Sequence, residues 1–445
     1  MKAITSLLRG RHNAVRDVFA SPILQQAGWL AVAKITQGVA SIVASLVIAR
    51  HLGPTGFGQL SLAIAIASFV GMMASLGLEH IATRELAMDE DVRRGTLVTT
   101  LRRLRFGGAV IGSFILLAIT YLPATERFGI SGLLMVLCLL PIAQVGDLAE
   151  WQLITGGRGK RIAVAAITLS PLVALARIGL AVANASIVAF AWMLVLEWLS
   201  RSIFLILSTD GGVFRSSNAS PQWVADGRSL LRDSMPLLMA GIAVFIYMRI
   251  DQFMIASLLN SRQVGLYSSV VTLSEIPLIL PALLLRGALP TLTRQSALDP
   301  ALRDRTLAKL MRHVFYLHLA GAIVLLLVAQ PLIRALYGEP FAEAAGAFRL
   351  QVLAAPFVAL GVLSSAWLVL EHRTRHALRR TIIGAIANIL LNLAFIPRFG
   401  ISGAAAATLI AQILSTYLTD LTHPETRAMF KMKTLAIIPG LRAVL

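Results

Sequence analysis

Apolar segments of membrane-spanning length recur along this chain, near 25–49, 60–78, 106–123, 130–154, 162–183, 186–207, 234–259, 265–285, 314–335, 347–370, 381–396 and 401–420. A hydrocarbon core about 30 Å thick takes about 20 apolar residues in a helix. Such a sequence folds as an all-α integral membrane protein of about twelve transmembrane helices. Lys and Arg fall on alternate sides of these segments. The odd-numbered connections carry only Arg50, Arg127, Arg262, Arg334 and Arg398, whereas the even connections and both ends carry Arg93, Arg94, Arg102, Arg103, Arg158, Lys160, Arg303, Arg305, Arg379 and many more. Basic loops stay on the cytoplasmic side, so both termini are expected in the cytoplasm, as an even helix count requires.

Composition closes off other classes. The chain is 57% hydrophobic and 14% charged, with a formal net charge of +18. That charge invites a nucleic-acid partner, but the basic residues follow membrane sidedness and form no single face. Their expected partner is the anionic inner leaflet. The single cysteine, Cys138, lies inside an apolar run, which excludes disulfides and Cys-ligated metal sites; no metal site is expected. Residues 1–22 are charged without an apolar core, so they read as a cytoplasmic segment and not as a cleavable signal peptide.

An internal repeat divides the rest. Ile48-Ala49 with Leu52, Gly58 and Ser61 recurs as Ile255-Ala256 with Leu259, Gly265 and Ser268, at a constant offset of 207 residues. Two six-helix bundles in the same orientation follow, at 23–207 and 234–420. A Gly/Ser-rich cytoplasmic linker, 208–233, joins them, and 421–445 forms a cytoplasmic tail. Such parallel repeats are common in transporters. The hexapeptide Arg-Phe-Gly-Ile-Ser-Gly appears at 127–132 and again at 398–403; its spacing does not match the repeat, and it reads as two similar outer turns.

Few ionisable groups interrupt the spans, and each costs several kcal/mol unless it meets a partner, a cavity or water. Lys34 sits well inside the first span, placed either to snorkel inward or to meet an anionic ligand. Arg177, about 10 Å from the outer surface by helix rise, can likewise line a cavity or snorkel. Arg249 and Glu275 lie on adjacent antiparallel spans at about equal depth, about 15 Å, which predicts an interhelical ion pair. Asp251, two residues from Arg249, must then point elsewhere. Glu197 and Arg201 stand at favourable i,i+4 spacing, and Asp147 with Glu150 reads as an anchor. Gly384, Asn388 and Asn392 form one polar stripe, and Thr408, Gln412 and Thr416 another; both suit interhelical hydrogen bonds. Pro277 and Pro281, beside Glu275, make the eighth span the best candidate for a bent element. Walker, HExxH and nucleophile-elbow signatures are missing, and Gly156, Gly157 and Gly159 sit in a basic turn without phosphate-loop context.

Two stretches carry a family resemblance. Ala49-Arg50-His51-Leu52-Gly53-Pro54-Thr55-Gly56-Phe57-Gly58, followed by Leu76-Gly77-Leu78 and Thr83-Arg84-Glu85-Leu86-Ala87, resembles the opening of the Wzx-type polysaccharide flippases. Arg249-Ile250-Asp251-Gln252-Phe253-Met254-Ile255, running through Val264-Gly265-Leu266-Tyr267-Ser268 to Pro277, Pro281 and Pro290, resembles the start of that family's second half. The superfamily, MOP, also holds the MATE exporters and the lipid II flippases. The resemblance implies a MATE-like pair of bundles around a central cavity. The role it implies is non-enzymatic, moving a polyprenyl-pyrophosphate-linked oligosaccharide across the bacterial inner membrane by alternating access, for surface or exopolysaccharide synthesis. It puts Lys34, Arg177 and Arg249 at the pyrophosphate or sugar. Asp251 and Glu275 are candidate coupling or structural carboxylates, with a proton or sodium gradient as driving force and no cofactor. Membrane lipids and polysaccharide polymerase or chain-length machinery are the further partners. A MATE-like ion-coupled exporter and, lower, a membrane polymerase or glycosyltransferase are the rival readings.

Overall fold

A computed structural model of the protein describes residues 22–88, 91–209 and 223–438. The segment expected at the N-terminus, save its last residue, and linker residues 210–222 lie outside the described residues. Among these, every regular element is helical. Among the described residues, ten helical stretches are long and apolar enough to cross a membrane. Two of them contain a break. Gly53 (φ 66°) interrupts α1, Pro22–Ala74, and Gly400 (φ 58°) interrupts a second long helix, Thr374–Thr416. Glycine takes such positive φ without the penalty a Cβ brings. Each interrupted stretch holds two of the spans expected from sequence, which accounts for the twelve. The two Arg-Phe-Gly-Ile-Ser-Gly turns share one device: Gly129 and Gly400 both adopt positive φ.

The chain forms two compact units. The first takes in the chain up to His51 and from Ala63 to Gly241; the second takes in Leu52–Leu62 and the chain from Ile242. Leu52–Leu62 thus belong to a different unit from the residues on either side of them in α1.

In the first unit, α2 (Leu78–Met88), α3 (Asp91–Thr120), α4 (Asp147–Thr155), α5 (Gly159–Val182) and α6 (Ile187–Leu207) follow α1. The amphipathic α2 turns its apolar side to protein: Leu78, Ile81 and Leu86 pack with Leu148 and Trp151 of α4 and Ile162 of α5.

The second unit is built from α7 (Trp223–Leu258), whose later part belongs here, then α8 (Ser261–Glu275), α9 (Ile279–Leu298), α10 (Pro300–Leu327), α11 (Ala344–Val352), α12 (Ala355–Leu370), α13 (Thr374–Thr416) and α14 (Arg427–Ile437). Its core joins Leu307, Met311 and Phe315 of α10 to Leu360, Leu363 and Trp367 of α12 and to Met429 and Ala436 of α14. The tail helix α14 is therefore part of the fold. Tyr316 donates its hydroxyl to the Ile437 carbonyl at 2.7 Å, which fixes its end.

Large apolar side chains face outward on the spans, among them Ile111, Phe114, Leu172, Leu175 and Leu390. In lipid these gain nothing by meeting one another, so helices associate through small residues that let backbones approach. The closest such approach joins the repeat's two glycines, both in the second unit. A Cβ on Gly58 would stand 1.8 Å from the Ser261 carbonyl oxygen, and one on Gly265 would stand 1.8 Å from that of Pro54.

Candidate functional site

The charged groups in the first unit's spans close on one another. Arg105, fully buried, reaches Asp147 at 3.2 Å and the Ala74 and Gln144 carbonyls at 3.3 Å. Arg201 pairs with Glu150 at 2.7 Å, and Arg177 pairs with Glu197 at 2.6 Å. This corrects the local Glu197–Arg201 pair expected from spacing. Those residues are close in sequence, but each finds a better-aimed partner on a neighbouring helix. The Arg177 side chain is 12% exposed. Lys34 is exposed on α1.

In the second unit, the Arg249–Glu275 pair counted from helix depth is present, with Nη2 and Oε1 3.7 Å apart and both side chains more than a third exposed. The helix after Glu275 bends as the prolines require: a 3-10 turn over Ile276–Leu278 separates α8 from α9. His318 of α10 lies 3.1 Å through Nε2 from the Pro277 carbonyl. A mostly apolar groove of about 340 Å³ opens beside this bend, lined by Pro277, Leu280, Leu283, Leu317 and Leu325.

Asp251 is the exceptional group. It is buried at 5% exposure in α7, yet among the described residues it makes no ion pair. Its carboxylate is held by neutral donors from α8 and from α13 on both sides of its break at Gly400. Tyr267 of α8 donates to Oδ2 at 2.7 Å, Thr408 of α13 donates to Oδ2 at 2.8 Å, and Asn392 of α13 donates to Oδ1 at 2.6 Å. Asn392 also donates to Asn388 Oδ1 at 3.0 Å, one helical turn away. Asn388 Nδ2 approaches Thr408 at 3.4 Å. The Asn392 amide oxygen is buried and has no hydrogen-bond partner.

This arrangement has a chemical reading. A buried carboxylate without a cation is costly, and three neutral hydrogen bonds offset only part of that cost. Oxygens crowd around it: both Asp251 oxygens, Asn388 Oδ1, Thr408 Oγ1, Tyr267 Oη and, after a half-turn of its amide, Asn392 Oδ1. A half-turn exchanges oxygen for nitrogen in nearly the same positions, so it would point the orphaned oxygen inward. An all-oxygen, singly charged pocket suits a hard cation or a proton. No softer ligand that would select a transition metal is among these partners.

The sequence supplied Asp251, Asn388, Asn392 and Thr408 as separate intramembrane polar residues but not their convergence. Tyr267 was missed; its place in the second-half motif, Val-Gly-Leu-Tyr-Ser, was the only pointer.

The family described as "Polysaccharide biosynthesis protein" matches residues 23–295, more than half of the chain. No curated protein sequence matches it. Among solved structures, an inward-facing multidrug resistance MATE transporter of the MOP superfamily aligns with a TM-score of 0.72 at 13% identity, over 90% of this chain and 96% of that one. The lipid II flippase MurJ, in an inward closed conformation, aligns with a TM-score of 0.67 at 14% identity, over 92% and 90%. A MOP transporter from Pyrococcus furiosus aligns at 0.58 with 15% identity, over 93% and 96%. At such identities the likeness establishes a shared two-lobe fold. Multiple apolar crossings and this fold make the protein a multi-pass membrane protein, and the family match shows that the chain belongs to the polysaccharide biosynthesis protein family.

Proposed function

We propose that this protein is a cation-coupled flippase that carries a polyprenyl-pyrophosphate-linked oligosaccharide from the inner to the outer leaflet of a bacterial inner membrane, for surface or exopolysaccharide assembly. The family match supports the polysaccharide pathway. The fold it shares with a lipid II flippase is consistent with a lipid-linked cargo. The observation that carries the coupling is Asp251, a carboxylate sunk in a span and answered, among the described residues, by neutral groups. A cation entering there supplies the missing charge, and its binding energy can favour one conformation over another.

Arg177 and Arg249 are the cations assigned to the phosphates, with Lys34 beside them in role. Each arginine is already engaged by a single carboxylate, Glu197 or Glu275. A pyrophosphate can replace that carboxylate in a charge-assisted, bidentate contact. Such exchange lets either arginine release a phosphate, because its own carboxylate retakes it as the phosphate leaves.

Deleting the gene should leave lipid-linked oligosaccharide accumulated on the cytoplasmic leaflet. In vesicles, transport should stop when the sodium gradient is collapsed and should persist when only the pH gradient is collapsed; the reverse pattern would assign the proton. Transport unaffected by both would remove Asp251 from coupling. The rival reading, a MATE-like exporter, is favoured by the MATE neighbour's TM-score of 0.72. It predicts drug efflux by a strain whose lipid-linked intermediates stay normal after deletion.

A further inference from the structure

A second polar constellation lies away from the spans' interior, where the start of α13 meets the turn before α14. His376, in the first turn of α13, and His423 and Glu425, in the turn leading to α14, bring one ligand atom each to within 4.8 Å of one another. His376 Nε2 lies 2.9 Å from Glu425 Oε2. The rings of His376 and His423 are 4.6 Å apart. His423 Nδ1 accepts the Glu425 backbone N–H at 3.3 Å, a long contact. The chemistry described above uses none of these residues.

We propose that His376, His423 and Glu425 form a divalent transition-metal site, of the zinc class, that fastens the turn carrying the tail helix to the base of α13. Two imidazoles and a carboxylate are a borderline-soft donor set; magnesium and calcium prefer oxygen alone. Metal–ligand bonds of about 2.0–2.2 Å in a tetrahedral arrangement put donor atoms ~3.3–3.5 Å apart. Small side-chain rotations bring the three observed donors to that spacing. The Glu425 side chain is 53% exposed and that of His376 only 12%, so one ligand is fixed in the fold and one faces water. Water completes the fourth position.

Arg373 donates from Nη1 to the Glu425 main-chain carbonyl and stacks over the Trp367 ring at 5.4 Å. The hydrogen bond from His376, with the Arg373 charge acting alongside it, favours the ionised form of the Glu425 carboxylate that a metal ligand needs. The ligands come from segments 47 and 49 residues apart in sequence (His376 to His423 and to Glu425). One ion therefore bridges two elements that must stay together for α14 to keep its seat on α10.

The test uses the full chain in detergent, purified without a histidine tag and stripped with a chelator. Zinc is titrated against a chromophoric competitor, and cobalt is added separately for its absorption spectrum. The expected result is one zinc per chain, with the strong visible bands of low-coordinate cobalt. Both should be lost in the His376→Ala/His423→Ala double variant and in His376→Gln, while the proteins remain monodisperse. Zinc should also slow amide exchange across 423–437 in the parent and leave it unchanged in the variants. No stoichiometric binding by the parent, or equal binding by parent and variants, overturns the site. Because the readouts are binding and exchange, the outcome is independent of whether the protein moves a lipid-linked sugar.

Discussion

Two aspartates in the second unit are equally hidden and oppositely answered. Asp420, fully buried, is gripped by Lys433 at 2.9 Å and by Arg380, which donates from Nε at 2.7 Å. Asp251 meets hydroxyl and amide groups alone. The first arrangement balances its charge within the protein, and it pins α14 and the preceding turn to α13. The second leaves a charge to be balanced by something that comes and goes. A carboxylate held by fixed cations fastens a structure; a carboxylate held by neutral dipoles can accept a visiting ion.

The largest effect should come from breaking the fastened site. Asp420→Asn leaves Arg380 and Lys433 buried side by side without their anion, which should cost about 3–5 kcal/mol of stability in detergent unfolding. A loss below that of an ordinary surface change would mean that the pair is not structural. Asp251→Asn should behave differently. In sodium-free buffer the amide keeps an acceptor oxygen and removes an unpaired charge, so stability should change by no more than about 1 kcal/mol. Sodium at a hundredfold above its dissociation constant should stabilise the parent by about 2.7 kcal/mol and the variant not at all. Equal sodium response in both would end the comparison. Thr408→Val removes one oxygen from the set while keeping shape, and should weaken the sodium-dependent gain without abolishing it.

Arg249–Glu275 supplies the smallest effect. Its atoms are 3.7 Å apart and more than a third exposed, so either single neutralisation should shift stability by less than about 1 kcal/mol. Its role in transport can then be read without a folding defect. A charge swap that restores transport lost in both single variants would assign it to pairing; loss in the swap as well would assign Arg249 to the cargo.

These sites differ in how legible they were. The spans, their number and the position of Asp251 follow from hydropathy and spacing, because one helix fixes its own faces. Arg249 and Glu275 could be paired because a short turn joins their helices and depth can be counted from it. Asn392 and Thr408 lie 141 and 157 residues from Asp251, and no local period carries such a distance. Periodicity showed only that the α13 stripe avoids lipid. Asp420 and Lys433 were hidden for a different reason: the chain after 420 reads as a basic tail, and nothing in its composition says that the tail docks. Arg105 was likewise absorbed into a run of basic loop residues, although the fold buries it.

The reciprocal seat of Gly58 and Gly265 makes each glycine depend on the other. Pro54 and Ser261, the atoms each glycine would strike, stand at the same offset of 207 as the glycines themselves. The contact is thus nearly its own mirror: exchanging the two repeats returns it to itself. That is the geometry of a contact between two equivalent segments related by a two-fold axis. A methyl group introduced at either position would press on peptide backbone, which cannot yield as a side-chain tip does, so neither glycine can be replaced while the other holds the contact.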